Sequence, residues 1–377
     1  MHAQIRLGRI GGISIGLHYS WFIIAFLITL SLTDRFSRVI PQWSSATVWS
    51  AAIVTALFFF VTLLLHELAH SLLAKSRGLR VRAITLFALG GVSQIESEAP
   101  DAKSEFWIAI VGPLASLAIG FVCLLLARSA GWTPNSEPST PVSAVLVWLG
   151  YINLVLAAFN MIPGYPLDGG RVLRALIWWN THSIDRSTRL AAKVGQVVAF
   201  LFIFVGLFQF FVGKSFGGLW MAFIGWFLLD AARSSYAQVE ITEGLRDRKV
   251  SDIMDRDFST VEAHLSLQDF VHQYLLVSGR RCFVVVQNNI LAGLITTNEV
   301  SRVERERWPQ TSVQSVMRPL SQLRTVTPDT PAIRALEIMS REDINQLPVV
   351  FNGQLVGLFS RSSVMGFLRN RTELFKQ

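Results

Sequence analysis

Six long apolar stretches, separated by short loops that carry most of the charge, occupy residues 1–235. A helix must offer about 20 mainly apolar residues to cross the roughly 30 Å hydrocarbon layer of a bilayer. The stretches therefore predict a polytopic α-helical membrane protein with about six transmembrane helices. Their bounds are Leu17–Leu32, Thr47–Ala74, Glu105–Arg128, Val142–Ile162, Ala191–Val212 and Phe216–Ala232.

The distribution of charge divides the chain into two parts. Residues 1–249 hold 20 Lys/Arg and 13 Asp/Glu, whereas residues 250–377 hold 14 and 13, spread evenly as on a water-soluble domain. With the N-terminus in the cytoplasm, sixteen of the 20 basic residues of the first part lie on the cytoplasmic side, as the positive-inside rule requires. This pattern predicts an inner-membrane protein whose two termini and soluble part are cytoplasmic, and the net charge of +8 calls for no nucleic-acid partner.

The second apolar stretch contains three ionisable residues within the string HELAH, residues 66–70. Their spacing stacks His66 and His70 on one helical face, about 6 Å apart, where both can bind one zinc ion. Glu67 lies beside them and is suited to take a proton from a water that zinc acidifies and to deliver it to a leaving amine. The alternative is a packed pair of core histidines with a helix-capping acid, which would bury Glu67 in lipid without a function.

A third zinc ligand is expected, because catalytic zinc usually has three protein ligands and one open position. Asp168 is the candidate, since it follows a helix-breaking string at the cytoplasmic end of the fourth apolar stretch. Broken backbone at membrane depth persists only where it is buried in protein or lines a wet cavity, so it can direct a carboxylate at a metal. Without HELAH, Asp168 would be interpreted as an ordinary turn aspartate at the interface.

Four segments together resemble the site-2 protease family of intramembrane zinc metalloproteases. They are HELAHSLLA at 66–74, LFALGGVSQI at 86–95, VGPLAS at 111–116 and FNMIPGYPLDGGR at 159–171. The resemblance covers most of residues 1–235. It implies cleavage of a peptide bond in or near a substrate's transmembrane segment, with zinc held by His66, His70 and Asp168 and with Glu67 as general base.

Two asparagines of the fourth stretch receive different interpretations. Asn160 matches an asparagine that the family places near the metal, which implies a donor for the substrate backbone or the developing oxyanion. A helix C-terminal asparagine that caps free carbonyl groups is an equal alternative. Asn153 is expected to form an interhelical hydrogen bond, and Gly112 with Pro113 in the third stretch is expected to be a packing or kink site.

Leu86–Ile95 is too short to span a membrane and contains two adjacent glycines, which predicts a strand or hairpin. The family resemblance supports a small re-entrant β-sheet here, with Ile10–His18 as the partner of this segment. A free strand edge would allow an unwound substrate strand to pair with the sheet and expose its peptide bond. A plain connecting hairpin at the interface is the alternative.

Residues 250–370 contain an internal repeat of about 64 residues. VSDIM at 250–254 corresponds to VQSVM at 313–317, and FVVVQNNILAGLIT at 283–296 corresponds to LPVVFNGQLVGLFS at 347–360, with Asn288-Asn289 and Asn352-Gly353 as hairpin turns. The repeat resembles a tandem pair of cystathionine-β-synthase (CBS) domains at 250–306 and 311–370, joined by a linker at 236–249 to a metalloprotease domain at 1–235. The resemblance implies an α/β module whose clefts bind adenine nucleotides in many members.

The position expected to hold a ribose is occupied by Glu299 in the first copy and by Ser363 in the second. The first cleft is therefore the candidate site for an adenine nucleotide, and the second departs from the family pattern. An assembly or substrate-docking module without a ligand is the alternative, because a fold alone does not establish a ligand.

Together these features predict an intramembrane zinc endopeptidase for regulated intramembrane proteolysis, modulated by the CBS pair. Family habit suggests a single-pass membrane-protein substrate, for example an anti-sigma factor, and the CBS pair could also join two chains as a homodimer. A CBS-regulated ion channel or transporter with a metal site is a different class of function, against which HELAH and its nearby acid argue. The intact set of four site residues disfavours an inactive relative: His66, Glu67, His70 and Asp168.

Overall fold

The computed structural model describes residues 4–88, 90–95, 97–287 and 290–374, and the chain divides into two compact units, Met1–Val239 and Glu240–Gln377. The helices of the first unit are α1 (Ser20–Val39), α2 (Ser45–Ser76), α3 (Ala102–Ser129), α4 (Pro141–Asn160), α5 (Asp168–Thr181), α6 (Ile184–Phe211) and α7 (Gly217–Leu245), which continues into the second unit. The strands of the first unit are β1 (Ile5–Ile10), β2 (Ile13–Leu17), β3 (Val81–Phe87) and β4 (Gly90–Ile95).

Within the residues that the structure describes, four helices, α2, α3, α4 and α6, are long and apolar enough to cross a membrane. They match four of the six predicted apolar stretches. The other two stretches, Leu17–Leu32 and Phe216–Ala232, fall largely within α1 and α7. Helix α1 ends in a charged turn with Asp34, Arg35 and Arg38, so its role as a span, like that of α7, stays a prediction.

Large apolar side chains cover the outer surface of the long helices. On α6, the side chains of Phe200, Phe204, Phe208 and Phe211 are each more than half exposed. So much contiguous apolar surface is rare on a protein that faces water, whereas it is favourable against lipid. The exposure pattern therefore agrees with the membrane-protein class predicted from the sequence.

A four-stranded sheet lies beside the helices, in the order β1-β2-β3-β4. Strand β2 pairs in parallel with β3, with Ser14 opposite Ala83 and Leu17 opposite Leu86. Strand β4 pairs with β3 as an antiparallel hairpin. The predicted segment Leu86–Ile95 is thus the second part of a longer hairpin that begins at Val81, and its predicted partner Ile10–His18 supplies β2.

The chain between α4 and α5 folds back on itself without regular structure, as the prolines and glycines of residues 162–170 predict. Two glycines at the start of α5 make this possible. A Cβ on Gly169 would lie 2.4 Å from the carbonyl carbon of Met161, and a Cβ on Gly170 would lie 2.2 Å from the backbone nitrogen of Tyr165. Any larger residue would push α5 away from the end of α4, and Asp168 would move with it.

The second unit contains the predicted repeat. Its helices are α8 (Val250–Ile253), α9 (Leu267–Phe270), α10 (Leu276–Ser278), α11 (Thr297–Ser301), α12 (Val313–Val316), α13 (Ala332–Arg341) and α14 (Arg361–Leu374). Its strands are β5 (Thr260–Glu262), β6 (Cys282–Gln287), β7 (Ile290–Thr296), β8 (Arg318–Pro319), β9 (Gln346–Phe351) and β10 (Gln354–Ser360). Short turns of π- and 3-10 helix complete it at Val271–Leu275, Arg305–Gln310 and Leu320–Gln322.

The two copies exchange backbone pairing. Strand β7 of the first copy pairs with Arg318 near the start of the second copy, while Leu358 in β10 of the second copy bridges to Asp255 near the start of the first copy. The hairpin between β9 and β10 turns at Asn352 and Gly353, with φ of 50° and 78°, as a type I′ turn requires. The corresponding turn predicted at Asn288-Asn289 lies outside the described residues.

The segment predicted as a linker, residues 236–249, is helical as far as Leu245. Leu245 is buried in the hydrophobic core of the second CBS copy, together with Val250, Leu347 and Phe359. The end of α7 is therefore part of the folded second unit, because its apolar face is needed to cover that core.

Candidate metal centre and active site

Three potential metal ligands converge where α2 meets the start of α5. The Nε2 atoms of His66 and His70 are 3.2 Å apart, and they lie 3.2 Å and 3.1 Å from the Oδ2 atom of Asp168. Ligand atoms about 2.0–2.2 Å from a tetrahedral zinc ion are roughly 3.3 Å from one another. The three side chains therefore present one triangular face of a tetrahedral zinc site, with both histidines buried.

The hydrogen bonds of the two imidazoles fit a metal at their centre. His70 donates from Nδ1 to the carbonyl oxygen of Ile108 at 2.6 Å, because a carbonyl group can only accept. Its Nε2 atom then carries a lone pair that faces the Asp168 carboxylate. The Nδ1 atom of His66 lies 2.9 Å from the hydroxyl of Ser116, which orients that ring in the same way. Lone pairs that converge in a buried site repel one another unless a proton or a metal cation lies between them, and a zinc ion would serve all three ligand atoms at once.

Helix α3 leaves space for one of these rings at Gly112. A Cβ at this position would lie 2.0 Å from Nε2 of His70, much closer than any nonbonded contact. The sequence marked Gly112 as a packing site, and the structure shows that its packing partner is a candidate metal ligand. VGPLAS thus contributes to the centre although it contains no ligand.

Glu67 lies against the sheet rather than against a helix. Ser93 in β4 donates a hydrogen bond of 2.8 Å to its Oε2 atom, and Ser71 of α2 donates to Ser93 in turn. A Cβ on Gly91 would lie 2.4 Å from Cγ of Glu67, so β4 can approach the carboxylate closely only with glycine there. The sheet therefore fixes the direction of the candidate general base.

The two asparagines of α4 lie in different surroundings. Asn153 is fully buried and donates to the hydroxyl of Thr62 at 3.2 Å and to the carbonyl of Leu149 at 2.8 Å, which confirms the expected interhelical bond. Asn160 is half-buried at the end of α4 and lines the same cavity as Glu67 and Asp168. Its amide makes no hydrogen bond within the described part of the chain, so a donor is available toward the cavity.

The metal-ligand triangle opens into a cavity of about 700 Å³. The site residues and Arg171 form a polar part of the cavity wall, and the remaining wall is mainly apolar. This wall includes side chains from four elements besides β4: Ile24 and Ile28 of α1, Phe59 and Phe60 of α2, Leu156 and Phe159 of α4, and Trp220, Ile224, Phe227 and Leu228 of α7. A polar reaction centre at the end of an apolar cavity suits a substrate that arrives from lipid.

Glu299 lies in the second unit, where its carboxylate already has protein partners. It accepts hydrogen bonds from the backbone and hydroxyl of Thr296 as the N-terminal cap of α11, and from Nε of Arg318 at 2.8 Å. Burial tends to raise the pKa of Glu299. The hydrogen bonds from Thr296 and the charge of Arg318 lower it by more, so the pKa lies below its ordinary value. A ribose at this carboxylate would have to share it with Arg318 or displace Arg318.

The second copy repeats this cap without a charge. Ser363 and Ser360 form the reciprocal hydrogen bonds at the start of α14, in the places of Glu299 and Thr296. The repeat of 64 residues therefore preserves the cap and loses the carboxylate, as the sequence predicted.

Comparison with known proteins agrees with this geometry. The sequence matches the description "Peptidase family M50" over residues 54–133 and 133–205, and "CBS domain" over residues 250–306 and 313–370. It is 34% identical over 372 residues to "Putative zinc metalloprotease sll0528" of Synechocystis sp., covering 98% of this chain and 96% of that protein. It is 33% identical to "Putative zinc metalloprotease Rip3" of Mycobacterium tuberculosis, covering 97% and 92%.

Among solved structures, a site-2 protease from Methanocaldococcus jannaschii is 31% identical, with a TM-score of 0.42 over 62% of this chain and 94% of that one. The converging ligands, the adjacent glutamate and the apolar helices define a metalloprotease of the site-2 protease type. The chain belongs to peptidase family M50 and carries a pair of CBS domains.

Sequence reasoning singled out the residues that meet in the cavity but not the residues that hold them. Ser93 and Ser116 lie inside segments that carry the family resemblance, yet a serine in an apolar helix or strand does not by itself indicate a role at a metal site. The contact of Ile108 with His70 is made by a backbone carbonyl, which cannot be predicted from the residue type. Glu105 was not singled out either, although an acid at the start of an apolar stretch is unusual and could have indicated a role.

Proposed function

We propose that this protein is an intramembrane zinc endopeptidase that cleaves membrane proteins in or near a transmembrane segment. The observation that supports the proposal most directly is the triangle of ligand atoms of His66, His70 and Asp168, with Glu67 beside it, at the end of a largely apolar cavity. The proposal also includes six membrane spans, which the six apolar stretches support. An inner-membrane location and a cytoplasmic CBS pair are supported by the charge pattern of the loops.

The proposed mechanism assigns one task to each polar side chain of the cavity. Zinc, when bound, supplies a Lewis acid that polarises a carbonyl group and acidifies water. Glu67, oriented by Ser93, takes the proton of the attacking water and passes it to the leaving amine nitrogen. The free amide of Asn160 donates to the oxyanion that develops on the substrate carbonyl, where a preorganised donor is most effective.

Strand β4 supports a route by which a helical substrate reaches these groups. In the described part of the sheet, β4 pairs only with β3, so its outer edge can accept another strand. Gly91, Val92 and Ser93 of β4 line the cavity beside Glu67. A substrate that unwinds and pairs with this edge would exchange its helical hydrogen bonds for strand hydrogen bonds and place its backbone next to the base. We propose that the sheet is re-entrant for this purpose.

A single-pass membrane protein, for example an anti-sigma factor, is the proposed substrate, because one helix can enter the cavity from lipid and unwind locally. We further propose that the CBS pair modulates cleavage, either by binding an adenine nucleotide near Glu299 or by docking the substrate or a second chain.

The test is proteolysis of a candidate single-pass protein by the purified full-length enzyme in lipid nanodiscs. Cleavage should stop on addition of a zinc chelator and return when zinc is restored. The His66→Ala variant should remain inactive in both conditions, because two ligands bind zinc much more weakly than three. Cleavage that persists in this variant, or that a chelator does not affect, would contradict the proposed function.

A further inference from the structure

Four groups of α3 that contact the metal-site elements lie along one face of the helix. They are the side chain of Glu105, the carbonyl of Ile108, the backbone of Gly112 and the side chain of Ser116. Successive spacings of three, four and four residues place them on one stripe. The last three act on the two histidines. Glu105 differs because its partners belong to α5.

Glu105 forms two buried ion pairs with α5. Its Oε1 atom accepts from Nε of Arg171 at 3.0 Å and from Nη2 of Arg174 at 2.6 Å. The side chain of Glu105 is 2% exposed, against 21% for Arg171 and 6% for Arg174. Charged groups at such depth are stable only when they are paired, so this carboxylate holds both arginines firmly.

The two arginines belong to the same helix as the third candidate ligand. Asp168 is the first residue of α5, and Arg171 and Arg174 follow it by one and nearly two helical turns. The guanidinium group of Arg174 also lies over the ring of Tyr165, in the irregular segment that precedes Asp168. The residue before the helix, Leu167, supplies no side-chain cap, so the start of α5 depends on these contacts for its position.

We propose that Glu105 is a positioning residue for the metal centre, which holds Asp168 in ligand position through Arg171 and Arg174. Helix α3 then orients all three candidate ligands from one stripe: His66 through Ser116, His70 through Ile108, and Asp168 through Glu105. This inference rests on the proposed function, since it assumes that the three side chains bind zinc.

The experiment measures zinc affinity of the purified full-length protein by competition with a chromogenic chelator. Glu105→Gln removes the charge and keeps the size, and it should weaken zinc binding at least about tenfold, as loss of residues that orient metal ligands does. The Co²⁺-substituted variant should also show an altered visible absorption spectrum. Glu98→Gln is the matched control, because Glu98 is 68% exposed and only 3.8 Å from the same Arg174, and its affinity should not change.

A double-mutant cycle separates positioning from general stabilisation. In an Asp168→Ala background, Glu105→Gln should cause no further loss of zinc affinity, because its effect passes through Asp168. An equal tenfold loss in that background would overturn the proposal, as would wild-type affinity in Glu105→Gln alone. If Glu105→Gln does not fold, Arg171→Lys replaces it. This variant keeps the charge but loses the paired hydrogen bonds from Nε and Nη2 of Arg171 to the two oxygens of Glu105, at 3.0 Å and 3.4 Å, and it should lose affinity only when Asp168 is present.

The wild-type protein distinguishes the two proposals. If it binds no zinc, the proposed function fails and this inference fails with it. If it binds zinc and Glu105→Gln binds it equally well, only the positioning role is rejected.

Discussion

The ring of His70 occupies the space that a side chain at Gly112 would need. A Cβ at position 112 would lie 2.0 Å from Nε2 and 2.5 Å from Cε1 of the imidazole. Nε2 is also the atom that points toward Asp168, at 3.1 Å. His70 of α2 can therefore occupy its position only because residue 112 of α3 has no side chain.

The replacement Gly112→Ala should displace His70 and lower zinc affinity at least about tenfold, since the new methyl group competes with the ligand atom for the same space. Zinc per chain after dialysis against a weak chelator is the measurement. Gly120→Ala on the same helix is the control. Its Cβ would meet the side chain of Leu154 at 2.8 Å and the carbonyl oxygen of Gly150 at 3.0 Å, both outside the ligand triangle, so this variant should lose stability but keep its zinc. Equal zinc retention by the two variants would argue against the site as described.

The replacement Glu67→Gln keeps the size of the side chain and removes the proton acceptor. Zinc should stay bound, because Glu67 is not one of the three converging ligands, while cleavage should fall by at least about a hundredfold. Cleavage rate and zinc content are measured on the same preparation. Glu98→Gln, the same change at an exposed position, should leave both unchanged. Near-normal cleavage by Glu67→Gln would show that another group acts as the base.

The asparagines of α4 should respond in opposite ways to replacement by alanine. Asn160→Ala should lower the cleavage rate by about a hundredfold with little change in melting temperature, because its amide has no described protein partner. Asn153→Ala should lower the melting temperature, because it removes the hydrogen bonds to Thr62 and Leu149, each worth about 0.6 kcal/mol in a membrane protein. If Asn160→Ala chiefly lowers the melting temperature, its role is to cap α4.

Adenine nucleotides should bind the second unit if the proposed regulation is correct. Residues 240–377 are the appropriate fragment for calorimetry, because Leu245 is part of the second core. AMP, ADP and ATP are titrated in turn. Glu299→Ala should weaken binding, whereas Ser363→Ala, the corresponding change in the other copy, should not. Flat titrations with all three nucleotides would leave docking or dimerisation as the role of the CBS pair.

Much of the candidate site could be predicted because ionisable side chains are energetically unfavourable at membrane depth and are therefore rare there. Glu67 and Asp168 interrupt apolar surroundings and therefore stand out in the sequence. The contacts that orient them do not, because they depend on how far α3 is shifted along α2. That shift depends on the close packing of Gly112 against His70, and a single sequence shows the glycine but not which residue packs against it.

The fold shows the same division between local and long-range information. The repeat, its Asn352-Gly353 turn and the choice of Ile10–His18 as a sheet partner follow from local patterns and from resemblance, whereas the parallel orientation of that pairing was not predicted. The pairing between the two CBS copies through Arg318 and Asp255 does not, since it depends on segments about 25 and 100 residues apart in sequence. The helical end of α7 was missed because its apolar residues serve the second unit, not the membrane.

The stripe from Glu105 to Ser116 limits the insertions and deletions that this part of α3 can accept during evolution. Adding or deleting one residue within these roughly three turns would rotate everything beyond it by about 100°. Glu105 and Ser116 would then face different sides of α3, and no single substitution could bring both back. Descendants of this gene should therefore vary freely in the length of their loops, while the count of residues between these two positions stays at ten.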